Sequence, residues 1–212
     1  LTLQTSLSEA STGCGFTKAG AGTLVLSLNN STLTNGTILH NATGTLRLAN
    51  YPGGNANNIL GGATGPTIQL GDATSTGSGT ISFALGNSFT LPNNFIVHEG
   101  ATTAKNIQAS AAGLSAIFSG VFMVSNIVVF NAQQSSGNLI VNNSSGSSYI
   151  SAISNATPVR FTSNQGQDLT DSAVWSGDGG ISYGQGNANN AGGGRFFISG
   201  QKTHTGGSIL YS

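Results

Sequence analysis

The chain has 212 residues, six basic and six acidic side chains, and a formal net charge of zero. Charged residues make up 6 % of it, against about 25 % in an ordinary soluble domain. This balance argues against binding to nucleic acid or to an anionic membrane surface, since both need clustered Lys and Arg. The 32 glycines and the many Asn, Ser and Thr residues favour short strands and turns over long helices.

The first part of the chain carries an internal repeat. Residues 1–17 predict a short N-terminal strand, or arm, and a connection of small residues. In residues 18–50, GTLVLS from Gly22 returns 22 positions later as GTLRLA from Gly44. Between these copies lies a shorter apolar run, TIL from Thr37. Strand-like runs at a fixed spacing of about 20 to 30 residues are typical of a solenoid.

The remaining sequence continues in short apolar runs separated by polar corners. Its longest apolar stretch, residues 114–130, is shorter than the roughly 20 residues of a membrane-spanning helix, so no membrane insertion is expected. The β-branched and aromatic residues of this stretch predict two buried strands. Alternation places Phe118 and Phe122 on one face and Met123 on the other. Since both faces are apolar, one must be covered by another segment or by another subunit.

The sequence therefore predicts a single domain over residues 1–212, folded as a right-handed parallel β-helix. At about 20 residues for each coil, this length predicts roughly ten coils. Residues 193–212 align with the start of the repeat and predict an incomplete C-terminal coil. A β-sandwich of short strands is the alternative fold.

The repeat resembles a known family, the autotransporter-associated β-strand repeat. KAGAGTLVLS from Lys18, TNGTI from Thr34 and GTL from Gly44 match its pattern in order. A second, partial copy is GGRFFISG from Gly193, followed by THTGGSI from Thr203. The resemblance implies a β-helix coil in an exported, elongated bacterial protein, secreted or held at the cell surface. It implies nothing about a reaction.

One acidic cluster is the main candidate for chemistry: Asp168, Asp171 and Asp178. Grouped carboxylates can hold Ca²⁺ or act on sugars as acid and base, and Trp175 between them offers a surface for a sugar ring. Asp residues are also common at Gly-rich corners, and this structural interpretation is the favoured one. The sequence contains no Gly-x-Ser-x-Gly motif with a His and an acidic residue that could complete a catalytic triad. The sequence therefore predicts a protein without a cofactor and without enzymatic activity.

Two functions from different classes fit this sequence. The first is a structural protein that polymerises with itself, the N-terminal strand of one subunit completing the C-terminal coil of the next. The predicted subunit interface consists of Leu1, Leu3, Phe118, Phe122, Met123, Ile209, Leu210 and Tyr211. The second is a carbohydrate-binding or polysaccharide-cleaving β-helix that contacts surface glycans through Asp171 and Trp175. A fragment of a longer repeat protein would show the same uncapped strands at its ends.

Overall fold

The computed structural model describes most of the chain and contains strands only. The described residues are 1–4, 7–8, 11, 15–27, 37–40, 44–49, 60, 67–71, 79–84, 88–99, 104–109, 115–132, 138–143, 146–153, 157–163, 167–184 and 195–211. They form 21 strands in three sheets. Within these ranges, no helix is long and apolar enough to cross a membrane.

The three sheets are built from strands that recur in turn along the chain. Sheet 1 has nine strands: β1 (Thr2–Leu3), β3 (Thr23–Leu26), β5 (Gly44–Ala49), β7 (Gly79–Ala84), β10 (Lys105–Ala109), β13 (Val128–Ala132), β16 (Val159–Ser163), β19 (Ile181–Tyr183) and β21 (Ser208–Leu210). Sheet 2 has seven: β2 (Phe16–Lys18), β4 (Thr37–His40), β6 (Thr67–Leu70), β9 (Phe95–Val97), β12 (Phe122–Val124), β15 (Ser148–Ile150) and β18 (Trp175–Gly177). Sheet 3 has five: β8 (Phe89–Leu91), β11 (Ser115–Phe118), β14 (Asn138–Val141), β17 (Asp168–Asp171) and β20 (Arg195–Ile198).

Each strand pairs in parallel with its equivalent in the turns before and after it, which defines a β-solenoid. The predicted 22-residue repeat is confirmed: β3 and β5 pair so that each residue lies beside the residue 22 positions later, as Leu24 lies beside Leu46. The alternative β-sandwich is excluded, because its strands would pair antiparallel. The right-handed winding stays a prediction.

The predicted number of ten coils is not confirmed. Arg47 pairs with Val25 across 22 positions but with Ser82 across 35 positions, so a turn is often longer than the spacing of the repeat. The third sheet begins at β8, and about five turns are three-sided. The last of them completes its second side with an isolated bridge between Trp175 and Lys202.

The core is a set of side-chain columns that run along the inside of the sheets. Alternation along each strand sends every second side chain inward, and register then stacks these side chains on one another. The core column of sheet 1 runs through Leu24, Leu46, Ile81, Ile107, Phe130, Phe161, Tyr183 and Leu210. Phe130, Phe161 and Tyr183 of this column are aromatic, with ring centroids 5.0 Å apart for Phe130 and Phe161 and 5.2 Å apart for Phe161 and Tyr183.

The apolar stretch of residues 114–130 forms three strands, β11, β12 and β13, where the sequence predicted two. Phe118 and Phe122 are completely buried, and Met123 is 53 % exposed. The predicted alternation is therefore confirmed, but Phe118 and Phe122 line the interior and offer no surface to another subunit. Asn35 and Gly36 of the repeat motif, and residues 193 and 194 at the start of the predicted C-terminal coil, lie outside the described residues.

Candidate functional site

The three aspartates of the acidic cluster have separate partners. Asp168 and Asp171 begin and end β17, so they point to opposite faces of that strand. Asp178 follows β18 and accepts a hydrogen bond from Thr205 Oγ1 at 3.2 Å. In the part of the chain that the structure describes, no three His, Cys, Asp or Glu side chains converge as a metal site would require. The acidic cluster of the sequence is not one site.

Asp168 forms an ion pair on the outer surface with Arg195 of the neighbouring strand. Its oxygens accept hydrogen bonds from Arg195 Nε at 2.9 Å and Nη2 at 2.8 Å. These hydrogen bonds, and then the charge of Asp168, raise the pKa of Arg195. The guanidinium also lies 5.5 Å from the centroid of the Phe197 ring. The ion pair therefore connects the side chains of the neighbouring strands β20 and β17.

Asp171 lies inside the solenoid, at the centre of a polar cluster. Trp175 Nε1 and the backbone N–H of Ala173 donate to its Oδ1 at 2.9 Å and 3.2 Å. The Tyr183 hydroxyl donates to its Oδ2 at 2.6 Å, and Lys202 Nζ lies 3.4 Å from the same oxygen. We call Asp171, Trp175, Tyr183 and Lys202 the Asp171 cluster.

All three sheets contribute to the Asp171 cluster. Asp171 belongs to sheet 3, Trp175 to sheet 2 and Tyr183 to sheet 1, and Lys202 continues sheet 2 through its bridge to Trp175. Asp171 occupies a position that is Leu91, Phe118 and Val141 in the preceding turns. In this turn, the apolar side chain of the column is therefore replaced by an aspartate that accepts hydrogen bonds from side chains of the other two sheets.

Burial controls the charges in this cluster. Asp171 has no exposed surface, and loss of solvation raises its pKa, while the hydrogen bond from Tyr183 and the charge of Lys202 partly oppose this shift. Burial also lowers the pKa of Lys202, against the opposing effect of Asp171. Burial next to the Asp171 carboxylate raises the pKa of Tyr183. The Lys202 ammonium also donates hydrogen bonds to the carbonyl oxygens of Ala173, at 2.7 Å, and of Ser199.

The predicted sugar site on Asp171 and Trp175 is not formed. Trp175 is completely buried, with ring centroids 6.1 Å from Phe122 and 6.5 Å from Phe161. A sugar ring needs an exposed aromatic face, and neither residue supplies one. Tyr183 and Lys202 did not emerge from the sequence, because only the ladder register brings them beside Asp171.

Five of the eight predicted interface residues, Leu1, Leu3, Ile209, Leu210 and Tyr211, lie at the two ends of sheet 1, whereas Phe118, Phe122 and Met123 belong to β11 and β12. Leu1 is 83 % exposed and Leu210 is 68 % exposed, and Ile209 and Tyr211 are exposed as well. Leu3 packs partly against the core. The strands that carry or flank them, β1 and β21, are the edge strands of sheet 1 among the described strands. Leu1, Ile209, Leu210 and Tyr211 thus expose apolar surface at the ends of sheet 1, and their role in a subunit interface stays a prediction.

Comparison of the chain with protein-family models, with curated proteins and with solved structures finds no match. The class that the fold defines is the parallel β-solenoid.

Proposed function

We propose that this protein is a structural β-solenoid that stacks end to end on further copies of itself. One observation carries the proposal: core positions are exposed in the final turn. Leu210 continues the core column of sheet 1 beyond Tyr183 and is 68 % exposed. Ile198 continues the column of Asp171 and is 47 % exposed. The same columns are buried in the preceding turns, from Leu46 to Tyr183 in sheet 1 and from Leu91 to Asp171 in sheet 3.

A second copy supplies such a turn through strand pairing. No described strand pairs with the outer edge of β21, and a free edge favours the addition of a parallel strand. The outer edge of β1 offers the complementary half at the opposite end of sheet 1. Leu1 and Leu210 would both lose exposed apolar surface in this contact. Because the two surfaces differ, the contact is head to tail and gives an open filament.

The proposal includes a right-handed winding and a location outside the cell. Parallel strands joined by a crossover are right-handed in about 98 % of known cases. The low charge content and the resemblance of the repeat to bacterial surface proteins support a secreted or surface-attached protein. The proposed role is mechanical and involves no reaction.

Matched substitutions on β20 and β21 test the proposal. We expect Leu210→Asp and Ile198→Asp to prevent filaments, because each buries a carboxylate between two turns. Phe197→Asp is the control: Phe197 is as exposed as Ile198, at 47 %, but alternation turns it to the outer face. Sedimentation velocity and negative-stain electron microscopy give the readout.

Deletion of residues 1–5 should have the same effect from the other end of the molecule. A wild-type chain that stays monomeric at high concentration would contradict the proposal. Filaments that persist after both Leu210→Asp and the deletion would contradict it as well.

A further inference from the structure

We propose that Asp171 and Lys202 form an intramolecular amide bond that closes the last turn covalently. The reacting groups are already in contact, with Lys202 Nζ 3.4 Å from Asp171 Oδ2. The Asp171 side chain has no exposed surface, and the Lys202 side chain keeps 17 % of its own. An amine and a carboxyl group are thus held together in a nearly dry site. This inference does not depend on end-to-end stacking.

The surroundings of the carboxyl group match the demands of amine addition. Attack on the carboxyl carbon Cγ places negative charge on one oxygen, and preorganised N–H donors stabilise such charge. Trp175 Nε1 and the Ala173 N–H donate to Oδ1 at 2.9 Å and 3.2 Å. The other oxygen, Oδ2, accepts the Tyr183 hydroxyl at 2.6 Å. Oδ1 therefore has two donors that would stabilise the negative charge that develops during the addition, and Oδ2 has a proton donor in Tyr183.

The step balances without any further reactant. The neutral amine of Lys202 adds to Cγ of protonated Asp171, and a new C–N bond forms. A proton moves from the nitrogen to Oδ2 through the Tyr183 hydroxyl, which gives up one proton and regains another. The C–Oδ2 bond breaks and one water molecule leaves past the exposed part of Lys202. Nothing is oxidised or reduced.

Two features of the site favour this reaction over a lasting ion pair. Burial raises the pKa of Asp171 and lowers that of Lys202, and both shifts populate the neutral forms that react. Fixed contact also replaces a bimolecular encounter by an intramolecular one, for which effective concentrations reach about 10⁵ to 10⁸ M. In the product, burial of Asp171 keeps water from the amide.

The bond would close a loop that contains β18, β19 and β20. β20 is the edge strand of sheet 3. It is held by backbone pairing with β17, by the surface ion pair of Arg195 with Asp168 and by Phe196, which packs against the core beside Tyr183. An amide inside the cluster ties the edge to the preceding turn. Fraying from this end would then stop at Lys202.

The intact mass of the purified, folded chain tests the proposal directly. We expect the wild-type chain to be lighter than its sequence mass by one water molecule. Lys202→Arg keeps the positive charge but lacks the nucleophilic amine, so its mass should equal its sequence mass. Lys18→Arg is the matched control and should retain the loss. Digestion of the wild type should yield one branched peptide that joins Asp171 to Lys202.

The Lys202→Arg variant also separates the amide from a trivial loss of water. Asp178 precedes Gly179, and an aspartate–glycine pair can lose water by cyclising on its own backbone. That loss would survive Lys202→Arg and would give no branched peptide. A wild-type chain at its full sequence mass, or a loss that persists in Lys202→Arg, would overturn the proposal. Digestion decides the question even if the variant does not fold.

Removal of the Tyr183 hydroxyl gives a kinetic readout that packing alone would not move. We expect Tyr183→Phe to link more slowly after refolding, because a positioned proton donor contributes about 10² to 10⁴ in rate. The appearance of the branched peptide is followed by mass spectrometry over time. An unchanged rate would contradict the role of Tyr183, and the absence of the peptide in both chains would contradict the bond.

Discussion

The turns before β7 and the turns after it are built differently. In the described residues, the early turns alternate between sheet 1 and sheet 2, whereas the later turns add sheet 3. The early core is aliphatic, with Leu26, Leu46 and Leu48 completely buried. The buried aromatic side chains of the described residues all lie later: Phe89, Phe95, Phe118, Phe122, Phe130, Phe161, Trp175 and Tyr183. Among the described residues, the large buried rings therefore occur only where the third side is present.

Two lysines, Lys18 in the early turns and the half-buried Lys202 in the last turn, have different partners. Lys18, at the end of β2, is 5 % exposed and its amine donates to the carbonyl of Gly20. No carboxylate of the described residues forms an ion pair with it, and burial lowers its pKa. Lys202 lies beside Asp171 in the three-sided region. Lys202 thus joins a polar cluster around a carboxylate, whereas the Lys18 amine donates to a backbone carbonyl.

The largest expected effect comes from the aromatic column. Phe161→Ala should lower the free energy of unfolding by about 4 kcal/mol, because it leaves a cavity between the stacked rings of Phe130 and Tyr183. Leu46→Ala, in the same column of the two-sheet region, should cost about 3 kcal/mol. Urea denaturation gives the total, and hydrogen exchange shows which turns open. Equal losses confined to the same turns would contradict a difference between the regions.

The next effect concerns the charge of the Asp171 cluster. Lys202→Met should be less stable than Lys202→Arg by about 3 kcal/mol, since it leaves a buried carboxylate without its cation. We place this value at the low end of the range for buried pairs because Lys202 is partly exposed. Both variants lack the amine, so an amide bond does not affect their difference. Combining Lys202→Met with Asp171→Leu should restore most of the loss in thermal unfolding.

A smaller, pH-dependent effect is expected from Lys18. Its pKa is 10.5 in the unfolded chain and lower in the folded state. At a pH between these two pKa values, the unfolded chain binds more protons than the folded chain. Stability should therefore rise with pH across this window. Lys18→Met should flatten that rise, while Arg47→Met, which removes an exposed guanidinium, should preserve it. Urea titrations at several pH values measure the slope, and an identical slope in Lys18→Met would contradict this assignment.

The smallest effect is expected from the outer ion pair. Arg195→Ala removes a contact to Asp168 in which the Arg195 side chain is 71 % exposed, and solvent screens such pairs strongly. We expect little change in thermal stability at physiological salt. A large loss would show that this pair, rather than the Asp171 cluster, holds the final turn.

The early ladder and the strand alternation could be read from the sequence. Identical GTL segments at Gly22 and Gly44 predict that Leu24 stacks on Leu46, because a parallel ladder places equivalent residues side by side. The alternation of residues 114–130 predicts which side chains face inward. The identity of the repeated segments determines the register of this ladder, and the alternation within a strand determines which side chains are buried.

The candidate site could not be read in the same way. Asp171 meets Lys202 only because β20 and its following bridge complete a turn, and the lengths of the turns vary. The apparent match of residues 193–212 with the first repeat is also misleading about position, since β3 lies in sheet 1 and β20 in sheet 3. Sequence spacing reports the motif of a strand but not the side of the solenoid on which that strand lies.

The unequal turns have a consequence for how such a chain can change. Arg47 lies next to Val25 and next to Ser82 in one continuous ladder, although 22 positions separate the first pair and 35 the second. The ladder registers strand against strand and is indifferent to the length of chain between them. Foreign peptides could therefore be grafted between strands of a long turn without altering its neighbours. The register of the paired strands is thus constant, while the number of residues between them varies from turn to turn.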